Sequence, residues 1–131
     1  MTEARIRTAS PYESSYGFCR ALRRGERIEV AGTAPIPQDG TDLPDGAYRQ
    51  MLLCGEIALD AIDRLGGEVT DVVRTRMYIV DASDAEEVGR AHGEVFGAAE
   101  PVATMVVVAG LLDPRWRVEI EVEAVIERPG S

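Results

Sequence analysis

The sequence contains no lysine, because all 14 basic residues are arginine. That absence excludes a Schiff-base lysine, a lysine-held pyridoxal phosphate and a GxxxxGK[ST] phosphate loop. Asparagine is missing as well, so there is no N-x-[ST] glycosylation site. The two cysteines, Cys19 and Cys54, show neither CxxC nor metal-ligand spacing, and counting alone leaves a disulfide between them open. The one histidine, His92, has no cysteine or carboxylate at metal-ligand spacing. No metal and no organic cofactor is therefore expected. No apolar run approaches the ~18 residues of a spanning helix, and the polar N-terminus lacks the apolar stretch of a signal peptide. The expectation is a reduced, cytoplasmic protein with no membrane partner.

Positive charge is also scarce. Against 23 acids the 14 bases leave a formal charge of −9, which opposes nucleic acid or an anionic lipid surface as partner. What is present is ordinary for a globular chain: 131 residues, 45% hydrophobic and 28% charged, read as one domain over 1–131.

Patterning predicts strands at Phe18 to Arg23 and Arg27 to Ala31, joined by a turn at Arg24-Gly25-Glu26. Three prolines and two glycines make 35–46 a loop. Ala47, Met51, Cys54, Ala58, Ala61, Ile62 and Leu65 recur every three or four residues, the stripe of an amphipathic helix that ends at Gly66-Gly67. Asp60 and Arg64 form an i,i+4 pair on its wet side.

Val72 to Val80 alternates as a strand, with Thr75, Met77 and Ile79 on one face and Arg74, Arg76 and Tyr78 on the other. Ser83 with Glu86 reads as a capping box ahead of a second helix carrying Val88, Ala91, Val95 and Phe96. Thr104 to Ala109 is a continuous apolar run, expected to be a strand buried on both faces. Arg117 to Glu127 alternates Val118, Ile120, Val122, Ala124 and Ile126 against Glu119, Glu121, Glu123 and Glu127. The tail from Arg128 is expected to fray.

The resulting order, β-β-α-β-α-β-β, predicts an α/β fold: a mixed β-sheet with two helices packed on one face. Two helices cover one side only, so the other side is expected to meet another copy of the chain, making a homo-oligomer.

Ser10-Pro11-Tyr12, Val30-Ala31-Gly32-Thr33, Asp71 to Tyr78, Pro101 to Ala109 and Val118-Glu119-Ile120-Glu121 occur in an order and spacing that span about 120 residues. In this respect the sequence resembles the Rid family, also called YjgF/RidA-like or endoribonuclease L-PSP proteins. The resemblance implies a chorismate-mutase-like homotrimer with clefts between subunits. It also implies hydrolysis of imino or enamino compounds to carbonyl compounds and ammonia.

On that resemblance Glu119 is the catalytic, water-handling glutamate, and Tyr12, Gly32 and Thr33 shape the substrate pocket. The arginine that clamps a substrate carboxylate in the best-known branch is replaced by Ala103, followed by Met105 and Val107. Loss of that bidentate contact points to a small-molecule ligand without an α-carboxylate, to a substitute arginine such as Arg115 or Arg117 beside Trp116, or to a protein that only binds. His92 is retained as a pocket candidate, with a structural role as its alternative. Glu119 has its own alternative: one rung of a glutamate ladder facing Arg74 and Arg76. Cys54, on the helix stripe, reads as an inert core thiol.

Overall fold

The computed structural model describes residues 3–127. Its elements run β1 (Glu3–Ile6), α1 (Tyr12–Tyr16), β2 (Ala21–Arg24), β3 (Arg27–Thr33), α2 (Ala47–Arg64), β4 (Val72–Ile79), α3 (Ala85–Phe96), β5 (Val102–Val107) and β6 (Val118–Val125). Short 3-10 turns at Val69–Asp71 and Ala82–Asp84 precede β4 and α3. The strands form one six-stranded sheet in the order β1-β2-β3-β6-β4-β5. Only β4 and β5 run parallel. The architecture is the expected mixed sheet with two principal helices on one face.

Alternation decides which side of each strand meets the helices. Val118, Ile120, Val122 and Ala124 of β6 and Thr75, Met77 and Ile79 of β4 are sealed from water. They pack under Met51, Cys54, Ala58, Ala61 and Ile62 of α2 and Val88, Ala91 and Phe96 of α3. The helix stripes match those read from the sequence, except that Val95 is only partly buried. The two helices approach closely at Gly55, where an added Cβ would lie 2.8 Å from a Val95 methyl. Cys54 is fully buried and its thiol is pushed well above its ordinary pKa, chiefly by burial, which makes it unreactive. Both cysteines are free.

The face away from the helices is polar over β4 and β6, where the sequence places Arg74, Arg76, Tyr78 and the alternating glutamates. Arg76 donates to Glu123 at 3.0 Å, Arg74 lies 3.9 Å from the same carboxylate, and the Tyr78 hydroxyl donates to Glu121. Such cross-strand pairs satisfy the polar groups of this face within the chain. Apolar surface is left open on β5, as well as at Tyr16, Phe18, Val73 and Leu112. That strand lies at the sheet edge and is not buried on both faces: Val102, Val106 and Val107 are exposed by 58%, 42% and 56%. A run of β-branched residues reads alike for a central strand and for an edge awaiting cover, so composition alone does not separate the two.

Three further expectations are corrected. β1 and α1 were not legible, since β1 is exposed and carries no alternation. The strand expected from Phe18 starts at Ala21, because Gly17 in a left-handed conformation and the chain up to Cys19 close off α1. Ser83 does not cap α3. It sits in the preceding 3-10 turn, where its N–H and hydroxyl both donate to Asp81, at 2.9 and 2.7 Å. The Asp60–Arg64 pair is present at 3.7 Å on the exposed side of α2. The tail from Arg128 lies outside the described residues.

Gly55→Ala should lower stability by about 1 kcal/mol even though alanine is the better helix former, because overpacking against Val95 outweighs propensity. In a Val95→Ala background the same change should become stabilising. Urea midpoints of the four variants of this cycle test it, and a rise for Gly55→Ala alone would contradict the close packing.

Candidate active site

Where β3 nears its end, its register against β6 slips between Val30 and Thr33. The slip brings Gly32 beneath the side chain of Glu119, and any Cβ on Gly32 would overlap Glu119 Oε2. Glycine lets the carboxylate lie against the strand here; a side chain at this position would displace it. A cleft of about 80 Å³ opens beside this crossing, lined by Tyr12, Gly32, Thr33 and Glu119 together with Arg20, Phe18, Ile36 and Trp116. Four of the residues expected at the site are therefore neighbours in space, although they come from α1, β3 and β6.

The glutamate ladder separates into different roles. Glu123 is paired with Arg74 and Arg76, and Glu121 accepts from Tyr78. Glu119 accepts no hydrogen bond and forms no ion pair among the described residues, although it is half-buried. Burial pushes its carboxyl above its ordinary pKa; the charge of Arg20 pulls the other way, and Glu121 adds to the rise. A half-buried carboxylate without a partner is costly in a free-standing fold, and it is a common feature of groups kept for chemistry.

Beside it lies a pair that sequence reasoning missed. Arg20 and Glu13 are 4% and 3% exposed, and Arg20 Nε and Nη2 each lie 3.2 Å from Glu13 Oε2. Nη1 donates to Thr33 Oγ1 at 3.1 Å and to the Gly32 carbonyl. Glu13 also accepts from the Thr8 N–H at 2.9 Å and from the Thr8 hydroxyl. The guanidinium is thus neutralised and held beneath the cleft floor. Nothing periodic links residues 13 and 20, so only the folded chain reveals the pair.

Tyr12 packs edge-on against Trp116, with ring centroids 6.2 Å apart at 81°, and is tilted by 37° against Tyr16 at 5.4 Å. Trp116 is buried within the chain. The arginines on either side of it point elsewhere: Arg115 is tied to Asp113 at 2.7 Å, and Arg117 to Asp84 at 2.9 and 3.1 Å. Neither lines the Glu119 cleft, so neither replaces a carboxylate clamp there within one chain.

His92, Ala103 and Met105 gather at a different place. His92 Nε2 and Thr75 Oγ1 are 2.7 Å apart, and Thr75 is the register partner of Ala103. Burial alone lowers the His92 pKa, which favours the neutral ring. By strand alternation Ala103 and Met105 leave the sheet on the helix side, with Thr75 and Met77, whereas Glu119 leaves it on the opposite side from Ile120. One chain therefore cannot bring Ala103 and Glu119 to the same cavity. Among the described residues no group of three or more His, Cys, Asp or Glu is placed to hold a metal ion, and no helix is long and apolar enough to cross a membrane.

The sequence profile of the family described as Endoribonuclease L-PSP matches residues 7–126. The chain belongs to this family, the YjgF/RidA proteins. Rv2704 of Mycobacterium tuberculosis, a member of the YjgF/YER057c/UK114 family, superposes with a TM-score of 0.86 at 34% identity, over 95% of this chain and 100% of its own. An uncharacterized protein of Streptomyces coelicolor is 39% identical over 92% of this chain and 90% of its own length. RidA from an Antarctic Psychrobacter has a TM-score of 0.80 at 21% identity, covering 93% of this chain and 94% of its own, a likeness of fold alone.

Two stability measurements test this site in a YjgF/RidA framework. Glu13→Gln leaves Arg20 buried without its counter-charge and should cost about 3–5 kcal/mol, whereas Glu13→Leu combined with Arg20→Met should recover most of the loss. Failure of the double variant to recover would show that the pair's hydrogen bonds to Thr8 and Thr33 dominate.

Glu119→Gln should do the opposite. A carboxyl whose folded pKa is raised binds its proton more readily in the folded state, so its ionised form lowers stability above that pKa. The variant should gain on the order of 1–2 °C in Tm at pH 7, and the gain should vanish as the pH falls below about 4. A lower Tm at pH 7 would mean that Glu119 has a stabilising partner.

Proposed function

We propose that this YjgF/RidA-family protein is a small-molecule hydrolase of the deaminase type, acting on an enamine, imine or related carbonyl compound without an α-carboxylate. The observation that carries the reading is Glu119: alone among the glutamates of β6 that face away from the core it has neither arginine nor tyrosine as partner, and it borders a cleft. In the reaction, Glu119 takes a proton from water as the oxygen adds to the imine carbon, and returns that proton to nitrogen, where the former C=N π pair becomes an N–H bond. Glu119 then takes the proton of the new hydroxyl and passes it to nitrogen, so that C=O forms as the C–N bond breaks and ammonia leaves. The sum is one imine and one water giving one carbonyl compound and one ammonia. Thr33 and the backbone at Gly32 shape the floor, and Tyr12 the wall.

Ala103 supports the absence of a carboxylate clamp, since the position offers only a methyl group. The opposite facing of Ala103 and Glu119 supports a cleft completed by a second copy, within a homotrimer. The exposed valines of β5 are the surface such an assembly would cover. A second reading, a trimeric module that binds small ligands without turnover, is favoured by the apolar character of Ala103, Met105 and Val107. An RNA-cutting activity is disfavoured by the −9 charge and by a cleft whose one arginine is already neutralised.

Ammonia release above the spontaneous rate tests the reading, with the N–H imine formed in situ from isobutylamine by an amine oxidase and O2 and, separately, 2-iminopropionate formed from alanine by an amino-acid oxidase and O2. The native protein should accelerate the carboxylate-free imine, and Glu119→Gln should reduce that by about 10²–10⁴-fold. Ala103→Arg should gain activity towards 2-iminopropionate. No acceleration of either imine by native protein would leave the binding module as the function.

A further inference from the structure

The cleft has an unbalanced charge. Arg20 is the one basic side chain lining it, and Glu13 neutralises that charge from 3.2 Å while Thr33 and Gly32 take the donors of Nη1. What remains is the negative charge of Glu119, which has no donor facing it among the described residues. Within one chain, a ligand carboxylate entering here would meet a like charge and no free cation among the described residues. A ligand that brings N–H groups would supply the missing partner, and a positive one would also offset the charge.

The rest of the lining favours the same ligand. Tyr12 and Trp116 meet edge to face, and Tyr16 leans on Tyr12 from the open side. Aromatic faces attract a cation through their quadrupole while accepting apolar carbon. The cavity of about 80 Å³ holds roughly six atoms the size of water, which limits the enclosed part of a ligand to a short chain or a small branched group. The −9 charge of the chain raises the local concentration of cations and lowers that of anions.

We propose that the cleft selects a small ligand bearing a positively charged, N–H-donating nitrogen, an ammonium or a protonated imine, whose N–H groups meet Glu119 while its apolar body lies against Tyr12 and Trp116. This rests on the reading of Glu119 as the group that faces the ligand, and it adds the ligand's charge and size. Tyr12 and Trp116 are then specificity determinants, and the neutralised Arg20–Glu13 pair is what makes the cleft choose cations.

Isobutylammonium, isobutanol and isobutyrate, similar in size and different in charge, test this by NMR titration at pH 7 and low salt. The native protein should bind isobutylammonium at least tenfold more tightly than isobutyrate, with isobutanol between them. Glu119→Gln should remove most of the ammonium's advantage over the alcohol, leaving the smaller part that the aromatic rings and the chain's net charge supply. Tyr12→Leu should weaken the ammonium several-fold and the alcohol less.

Equal or tighter binding of isobutyrate, an ammonium preference undiminished in Glu119→Gln, or no binding of any of the three would each overturn the proposal. The activity assay separates it from the hydrolase reading. Ammonium selectivity without imine turnover removes the hydrolase and leaves the selectivity standing, whereas turnover without selectivity does the reverse.

Discussion

The contact between Arg20 and Glu13 joins segments that otherwise share little. Glu13 lies in α1, Arg20 enters β2, and the acceptors at Gly32 and Thr33 end β3. Both side chains are almost entirely removed from water, so each charge depends on the other and on the hydrogen bonds around it. Thr8, ahead of α1, is fastened to the same carboxylate. The pair therefore fixes where the N-terminal segment crosses the sheet, and with it the positions of Tyr12 and Tyr16 above the cleft. It also engages the one basic side chain that lines the cleft, so that Arg20 acts on Glu119 only through its field and not as an ion-pair partner.

From that constraint the chemistry of the cleft follows in order. The slip in β3 brings a glycine under Glu119, and the absence of a side chain there leaves room for the carboxylate. The neighbouring glutamates already have partners, so they set the electrostatic background and are not free to react. Desolvation raises the proton affinity of Glu119.

Most of the fold was legible in the sequence because its signals are local. The 3.6-residue stripe of α2, the alternation of β4 and β6, and the turn at Gly25 each arise from neighbours along the chain. β1 and α1 were not, since an exposed edge strand and a five-residue helix leave no periodic trace. The edge position of β5 was hidden for a different reason: TMVVVA describes a surface that has to be covered, but not by what. At the site, Tyr12, Gly32, Thr33 and Glu119 were identified by resemblance and lie together, whereas Glu13 and Arg20 gave no signal, because a buried ion pair between separate elements has no sequence spacing.

The sequence by itself determined the absence of lysine chemistry, the acidic balance and the two-helix mixed sheet. These depend on residue identity and on short-range periodicity, which the chain carries wherever it folds. Tertiary structure alone decided which glutamate is unpartnered, which arginine is neutralised, and that Ala103 and Glu119 face opposite sides of one sheet. Those outcomes depend on register and on the bulge in β3, where a shift of a single residue exchanges the buried face for the open one.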